Sequence, residues 1–221
     1  MKVLFISVHP DDETLGCGGT ILKHKDSGDD IYWLIITHVY ESLGYTKEFI
    51  QKREKQISEV AQAYQFTAVY NLGYQTTKLH SIDINDLINK TSSIIQKIKP
   101  EWIYMINRSD IHTDHQVAAK AIMSSTKSFR NPFIKRILMY ECISETEIAL
   151  PLPENTFISN VFSDISEYLE KKLEIMNLFD SEIQSPPMPR SLENIRALAR
   201  YRGSTISVNY AESFMLLRDI F

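Results

Sequence analysis

A Rossmann-like α/β fold in three layers, with a mostly parallel central sheet flanked by helices, is the architecture that the sequence predicts. Short continuous apolar runs recur through the first half of the chain. Stretches of helical period separate them, and dense polar clusters follow the first and fourth runs. Strand–helix alternation of this kind gives a parallel sheet covered on both faces.

The first run, Val3, Leu4, Phe5, Ile6, Ser7 and Val8, shows no polar alternation, as expected of a strand buried on both sides. Residues 31–36, 68–72 and 102–106 read the same way. Between the second and third runs, Ile50, Ile57, Val60 and Tyr64 share one helical face. Between the third and fourth, Leu87, Thr91, Ile94, Ile95 and Ile98 do so. After about residue 127 the pattern is less regular. Residues 134–142 read as a further strand, 149–153 as a loop, and 164–179 as a helix with Ile165, Leu169, Met176 and Phe179 inward. Pro186, Pro187 and Pro189 break the chain before a last helix near 191–202, which Gly203 can close at C′, and 214–217 return as a final strand.

A length of 221 residues suits one compact domain, 1–221, and neither a repeat nor a linker divides it. Apolar content of 43% and charged content of 24% are those of a globular chain, which excludes disorder. A net charge of −4 argues against nucleic acid as a partner. No stretch approaches the roughly 20 apolar residues of a membrane span. A signal peptide is not read either, because His9-Pro10-Asp11-Asp12-Glu13 ends any apolar region at once. Cys17 and Cys142 are read as reduced, small and buried rather than as a disulfide framework. A cytoplasmic protein is expected.

In an open α/β sheet, ligands bind beyond the C-terminal ends of the strands. His9-Pro10-Asp11-Asp12-Glu13 begins where the first strand ends, and Asp110-Ile111-His112-Thr113-Asp114-His115 follows the fourth, so both clusters open onto one rim. Three of the six histidines fall in them. Thr113 with Gln116 has the spacing of a capping box, which starts a helix at Thr113 and fixes His115 in its first turn. His9, Asp12 and His115 then form a three-ligand N/O set, and catalytic zinc uses three protein ligands with one position left open. Either cluster alone could be structural: Asp11 and Asp12 could cap the following helix. Two clusters at equivalent sheet positions favour a site.

These residues also resemble a known family. His9-Pro10-Asp11-Asp12-Glu13, with Leu15-Gly16-Cys17-Gly18-Gly19 behind it and His112-Thr113-Asp114-His115 downstream, is similar to the PIG-L (LmbE-like) deacetylases over nearly the whole chain. The resemblance implies a zinc-dependent removal of acetyl groups from N-acetylglucosamine-containing glycans, glycolipids and thiol conjugates. It implies His9, Asp12 and His115 as metal ligands, Asp11 as general base, His112 facing the developing oxyanion, and Asp114 orienting a histidine. One zinc per chain is expected, with Fe2+ as another divalent ion that such a set accepts. The residue types suit the chemistry, since an acetamide needs both an activated water and a polarised carbonyl. Asp11 is free to accept the water's proton, a protonated His112 could stabilise the oxyanion, and either could return a proton to the leaving amine.

Arg53 lies on the apolar stripe of its helix, where a charge is either paired, facing a cavity, or extended to water. The resemblance implies that it contacts the substrate sugar. Where the family places an Asp after the third strand, Thr76 stands here, which counts against a simple terminal N-acetylglucosamine substrate. Arg190, Arg196, Arg200 and Arg202 enrich the last helix in positive charge; a solvated face is preferred over a phosphate subsite. Gly16-Cys17-Gly18-Gly19 is read as permitting tight helix–sheet packing.

The expected activity is N-deacetylation of an N-acetylated amino sugar or conjugate, including phosphorylated or nucleotide-linked forms. The alternatives are an amidase of the same mechanism on a non-sugar amide, and a Rossmann-like binding protein without turnover. A pure binder has no use for a free Asp beside a metal. A homo-oligomer is left open.

Overall fold

The computed structural model describes residues 1–221. Seven strands, β1 (Lys2–Ser7), β2 (Asp30–His38), β3 (Ala68–Gln75), β4 (Trp102–Ile106), β5 (Arg136–Tyr140), β6 (Val161–Asp164) and β7 (Ala211–Asp219), form one sheet in the order β3-β2-β1-β4-β5-β7-β6. The first five are parallel, while β7 runs antiparallel to both β5 and β6. Helices α1 (Asp12–Asp26), α2 (Lys47–Tyr64), α3 (Ile84–Ile98), α4 (Thr113–Ser125), α5 (Leu169–Met176) and α6 (Leu192–Ser204) complete the chain. The α3–α4 pair packs together, as do α1 with α2 and α5, giving the three layers expected. No helix is long and apolar enough to cross a membrane.

The apolar runs form the middle of the sheet because only a doubly covered strand can bury every side chain. Val3 to Ile6 and Trp33 to Ile36 are fully buried. Trp33 keeps its indole N–H satisfied by donating to Ser7 Oγ at 2.8 Å. The glycines after the first cluster do what tight packing requires. A Cβ on Gly16 would stand 2.3 Å from the Tyr140 ring and 2.8 Å from the Glu141 carbonyl.

The second half departs from its sequence pattern in four places. Strand β6 was not expected, since Val161-Phe162-Ser163-Asp164 is short, half polar and lies at the sheet edge. The helix expected over 164–179 is only Leu169–Met176, because the Asp164 carboxylate accepts from the Ser166 N–H and hydroxyl and forms a turn instead. Gly203 does not close α6 at C′. It lies within the helix, where a Cβ would meet the Val208 carbonyl at 2.7 Å. The strand expected over 214–217 reaches back to Ala211.

Glu212, on β7, ties the last strand to the first helix. Its carboxylate accepts from Gly19 N and Thr20 N, both at 2.8 Å, and from Lys172 Nζ at 2.7 Å. Lys172 also donates to the Leu15 carbonyl at 2.8 Å. Both side chains are 4% exposed, so each charge depends on the other. Glu212→Gln leaves Lys172 buried without an anion and should lower stability by about 3–5 kcal/mol, read as a fall in the denaturation midpoint.

Candidate active site

The strand order reverses direction between β1 and β4, which are neighbours. Residues 8–11 leave β1 for α1, and residues 107–112 leave β4 for α4, so both polar clusters open at this switch point. Helix α4 begins at Thr113 as the spacing predicts. The cap, however, is His112, whose Nδ1 accepts from Asp114 N at 3.1 Å. Gln116 reaches back to the Asp110 carbonyl at 2.8 Å rather than completing a box with Thr113.

Three donor atoms converge here. His115 Nε2 lies 3.2 Å from His9 Nδ1 and 3.4 Å from Asp12 Oδ2, and His9 Nδ1 is 3.9 Å from Asp12 Oδ2. A tetrahedral ion with bonds of 2.0–2.1 Å needs edges of about 3.3–3.4 Å, so the triangle fits one divalent cation. The groups behind the donors fix which ring nitrogen each histidine offers. His115 Nδ1 faces Asp110 Oδ2 at 2.9 Å, and His9 Nε2 faces Asp114 Oδ2 at 3.4 Å. Asp12 is anchored by Val8 N at 2.9 Å and His9 N at 2.8 Å.

The electrostatics point the same way. Burial opposes its charge, yet Asp12 and Asp110 raise the His115 imidazole to about 10. Burial also opposes ionisation of Asp12, but His115 and His9 hold its carboxyl well below the usual range. Carboxylate charge is in excess at the triangle, and a divalent cation is what would use it. Asp11 differs from its neighbour: burial first, then Asp12 and Glu182, push its carboxyl well above the usual range against Arg190 and Arg53. Burial, with His9 and His115 beside it, brings His112 down to about 4.

A cavity opens over the triangle, walled by Asp11, His112, Arg53, Thr76, Glu145 and Arg190 among others. Arg53 is buried and donates to the Pro10 carbonyl at 3.0 Å, so it is both paired and at the cavity. Thr76 directly follows β3 and is buried in the wall. Asp114 accepts from Thr77 N at 2.6 Å and Leu79 N at 3.1 Å, and so links the β3 loop to the cluster.

The four arginines do not act together. Arg190 precedes α6 and reaches the cavity, whereas Arg196 pairs with Glu170, Arg200 with Asn209 and Arg202 with Glu141. Asp110, Glu145 and Glu182 were not singled out from the sequence. Asp110 carried a signal, since it lies five residues before His115 within the same cluster. Glu145 and Glu182 lie in irregular segments whose position only the fold sets. Asp110→Asn should weaken zinc affinity about 10–100-fold without unfolding the chain, as measured by chelator competition.

Residues 4–126, more than half of the chain, match the PIG-L family, described as GlcNAc-PI de-N-acetylase. The chain is 26% identical to diacetylchitobiose deacetylase of Thermococcus kodakarensis, covering 100% of this chain and 84% of that protein. It is 24% identical to a probable N-acetyl-alpha-D-glucosaminyl L-malate deacetylase 2 of Bacillus cereus, covering 83% and 84%. The fold is similar to that of N,N'-diacetylchitobiose deacetylase from Pyrococcus horikoshii, with a TM-score of 0.76, 23% identity and coverage of 98% and 84%.

Proposed function

The chain belongs to the PIG-L family, and from that premise we propose that it is a zinc-dependent hydrolase removing the acetyl group of an N-acetylated amino sugar or its conjugate. The observation that carries this reading is the donor triangle of His9, Asp12 and His115 with an adjacent carboxylate, Asp11, left outside it. A divalent ion held there supplies a Lewis acid for the acetamide carbonyl and lowers the pKa of a water. Zinc suits the N/O set, and Fe2+ is the alternative ion.

Asp11 takes the proton of the attacking water. Its raised carboxyl suits a base that must later hold that proton. The Asp114 amide donates to His112 Nδ1, which places the ring proton on Nε2 and leaves the imidazole neutral. His112 is then a neutral N–H donor to the carbonyl oxygen as charge grows there, in the form that the sequence left open. With no second proton on His112, Asp11 returns the proton to the leaving amine nitrogen.

We read the substrate as a conjugate rather than a simple terminal sugar, because Thr76 supplies a neutral hydroxyl at the wall of the cavity. The surface pairing of Arg196 gives no support to a phosphate subsite on α6. We read it as a cytoplasmic protein with a single domain over 1–221. The test is acetate release by zinc-loaded protein from free, phosphorylated, nucleotide-linked and glycosidic N-acetyl sugars, with non-sugar acetamides run beside them. Release from at least one of them is expected. Release only from non-sugar amides would establish the amidase instead, and binding without turnover would establish the non-catalytic reading. Thr76→Asp should shift relative rates toward simple N-acetylglucosamine compounds; unchanged ratios across the panel would remove Thr76 from sugar recognition.

A further inference from the structure

Three charged side chains and one backbone carbonyl close a ring around Asp11. Arg190 Nη1 stands 3.4 Å from Asp11 Oδ2 and 3.0 Å from Glu182 Oε2. The other Glu182 oxygen accepts from Arg53 Nη2. Arg53 Nη1 donates to the Pro10 carbonyl at 3.0 Å, on the peptide that leads into Asp11. Asp11 itself has φ 145°, a conformation that an L residue keeps only where its surroundings over-determine it. The ring supplies that constraint, since it grips the side chain at one end and the preceding carbonyl at the other.

We propose that Glu182 is a positioning residue for the deacetylation, acting through Arg190 and Arg53 on Asp11. The inference rests on the assignment of Asp11 as the base. A tight charge-assisted hydrogen bond between Arg190 and Asp11 would be about 2.7–2.9 Å, and would occupy the lone pairs that must accept a proton. The observed contact is longer, and the shorter one goes to Glu182. Glu182 thus holds Arg190 back from the base while keeping Arg53 on the Pro10 carbonyl. Both guanidinium groups have Glu182 as a partner within the ring.

The loop carrying Glu182 has anchors of its own. Asp180 bonds to Lys52 and to Gln56, both at 2.8 Å, so the wall stays in place when Glu182 is shortened. The experiment compares Glu182→Ala, Asp11→Asn and the double variant. Zinc content, melting temperature, kcat and KM are measured on whichever N-acetyl sugar of the acetate-release panel turns over fastest. Glu182→Ala should keep its zinc and lose roughly 10–100-fold in kcat, the scale of a misplaced catalytic group, with KM changed much less. In the Asp11→Asn background the same substitution should cost almost nothing further, because the group it positions is gone. A normal kcat for Glu182→Ala beside an impaired Asp11→Asn overturns the proposal and leaves the base assignment standing. An equal loss in both backgrounds also overturns it, since that loss would not pass through Asp11. Normal turnover by Asp11→Asn alone removes the base assignment and this proposal with it. Should Glu182→Ala fail to fold, Arg190→Met opens the ring while leaving the Arg53–Glu182 pair intact, and it is held to the same comparison.

Discussion

Asp11→Asn should hold zinc as the wild type is expected to, and should turn over at least about two orders of magnitude more slowly, the usual effect of losing a positioned base. The two neighbouring carboxylates are chemically identical, and the fold separates them. Asp12 Oδ2 faces His115 and His9 and is fixed by two backbone amides. Asp11 has Arg190 as its side-chain partner and lies in the cavity wall. An amide at residue 11 keeps the size and polarity but accepts no proton near neutral pH. The loss therefore falls on kcat, and KM changes little because the cavity keeps its shape. Zinc analysis beside steady-state kinetics decides the matter. A variant that loses its zinc would mean that the roles of Asp11 and Asp12 are exchanged.

The second large effect is on the metal itself. His9→Ala, Asp12→Ala and His115→Ala each remove one corner of the donor triangle, and each should drop zinc from about one per chain to a small fraction, with activity falling to background. The fold survives, because the three residues lie on loops and helix starts at the rim while the strands behind them are packed by apolar side chains. His115→Ala also takes the imidazole partner from Asp110 Oδ2, while Asn107 and Thr146 still donate to Asp110 Oδ1. Elemental analysis and circular dichroism of the three variants test both halves of the expectation. Full zinc content in all three would dispose of the ligand set.

The first half of the fold was legible because doubly buried strands write themselves as unbroken apolar runs, as residues 3–8 and 102–106 do. The triangle was legible for a related reason: two polar clusters placed after neighbouring parallel strands must share a rim. Strand β6 left no such trace, being short, half polar and at an edge. Glu212 also hid part of β7, for its charge reads as exposed until Lys172 arrives from another element. Asp110 was visible as a residue but not as the partner of His115, since the cluster offered two carboxylates to orient two histidines. Glu182 and Arg190 carry no periodic signal, and only tertiary structure brings them to Asp11.

The place of β7 bears on how the molecule is made. The last strand in chain order lies between β5 and β6, and it carries the carboxylate that takes the charge of Lys172. A chain leaving the ribosome from its N-terminus can pair β1 to β5 early, yet until residues 211–219 emerge the edge of β5 stays open and Lys172 has no anion. A nascent or stalled chain therefore presents a bare strand edge, which invites pairing with another chain or capture by a chaperone. Helix α1 gains its tie to β7, through Glu212 at Gly19 and Thr20, only once residues 211–219 have emerged.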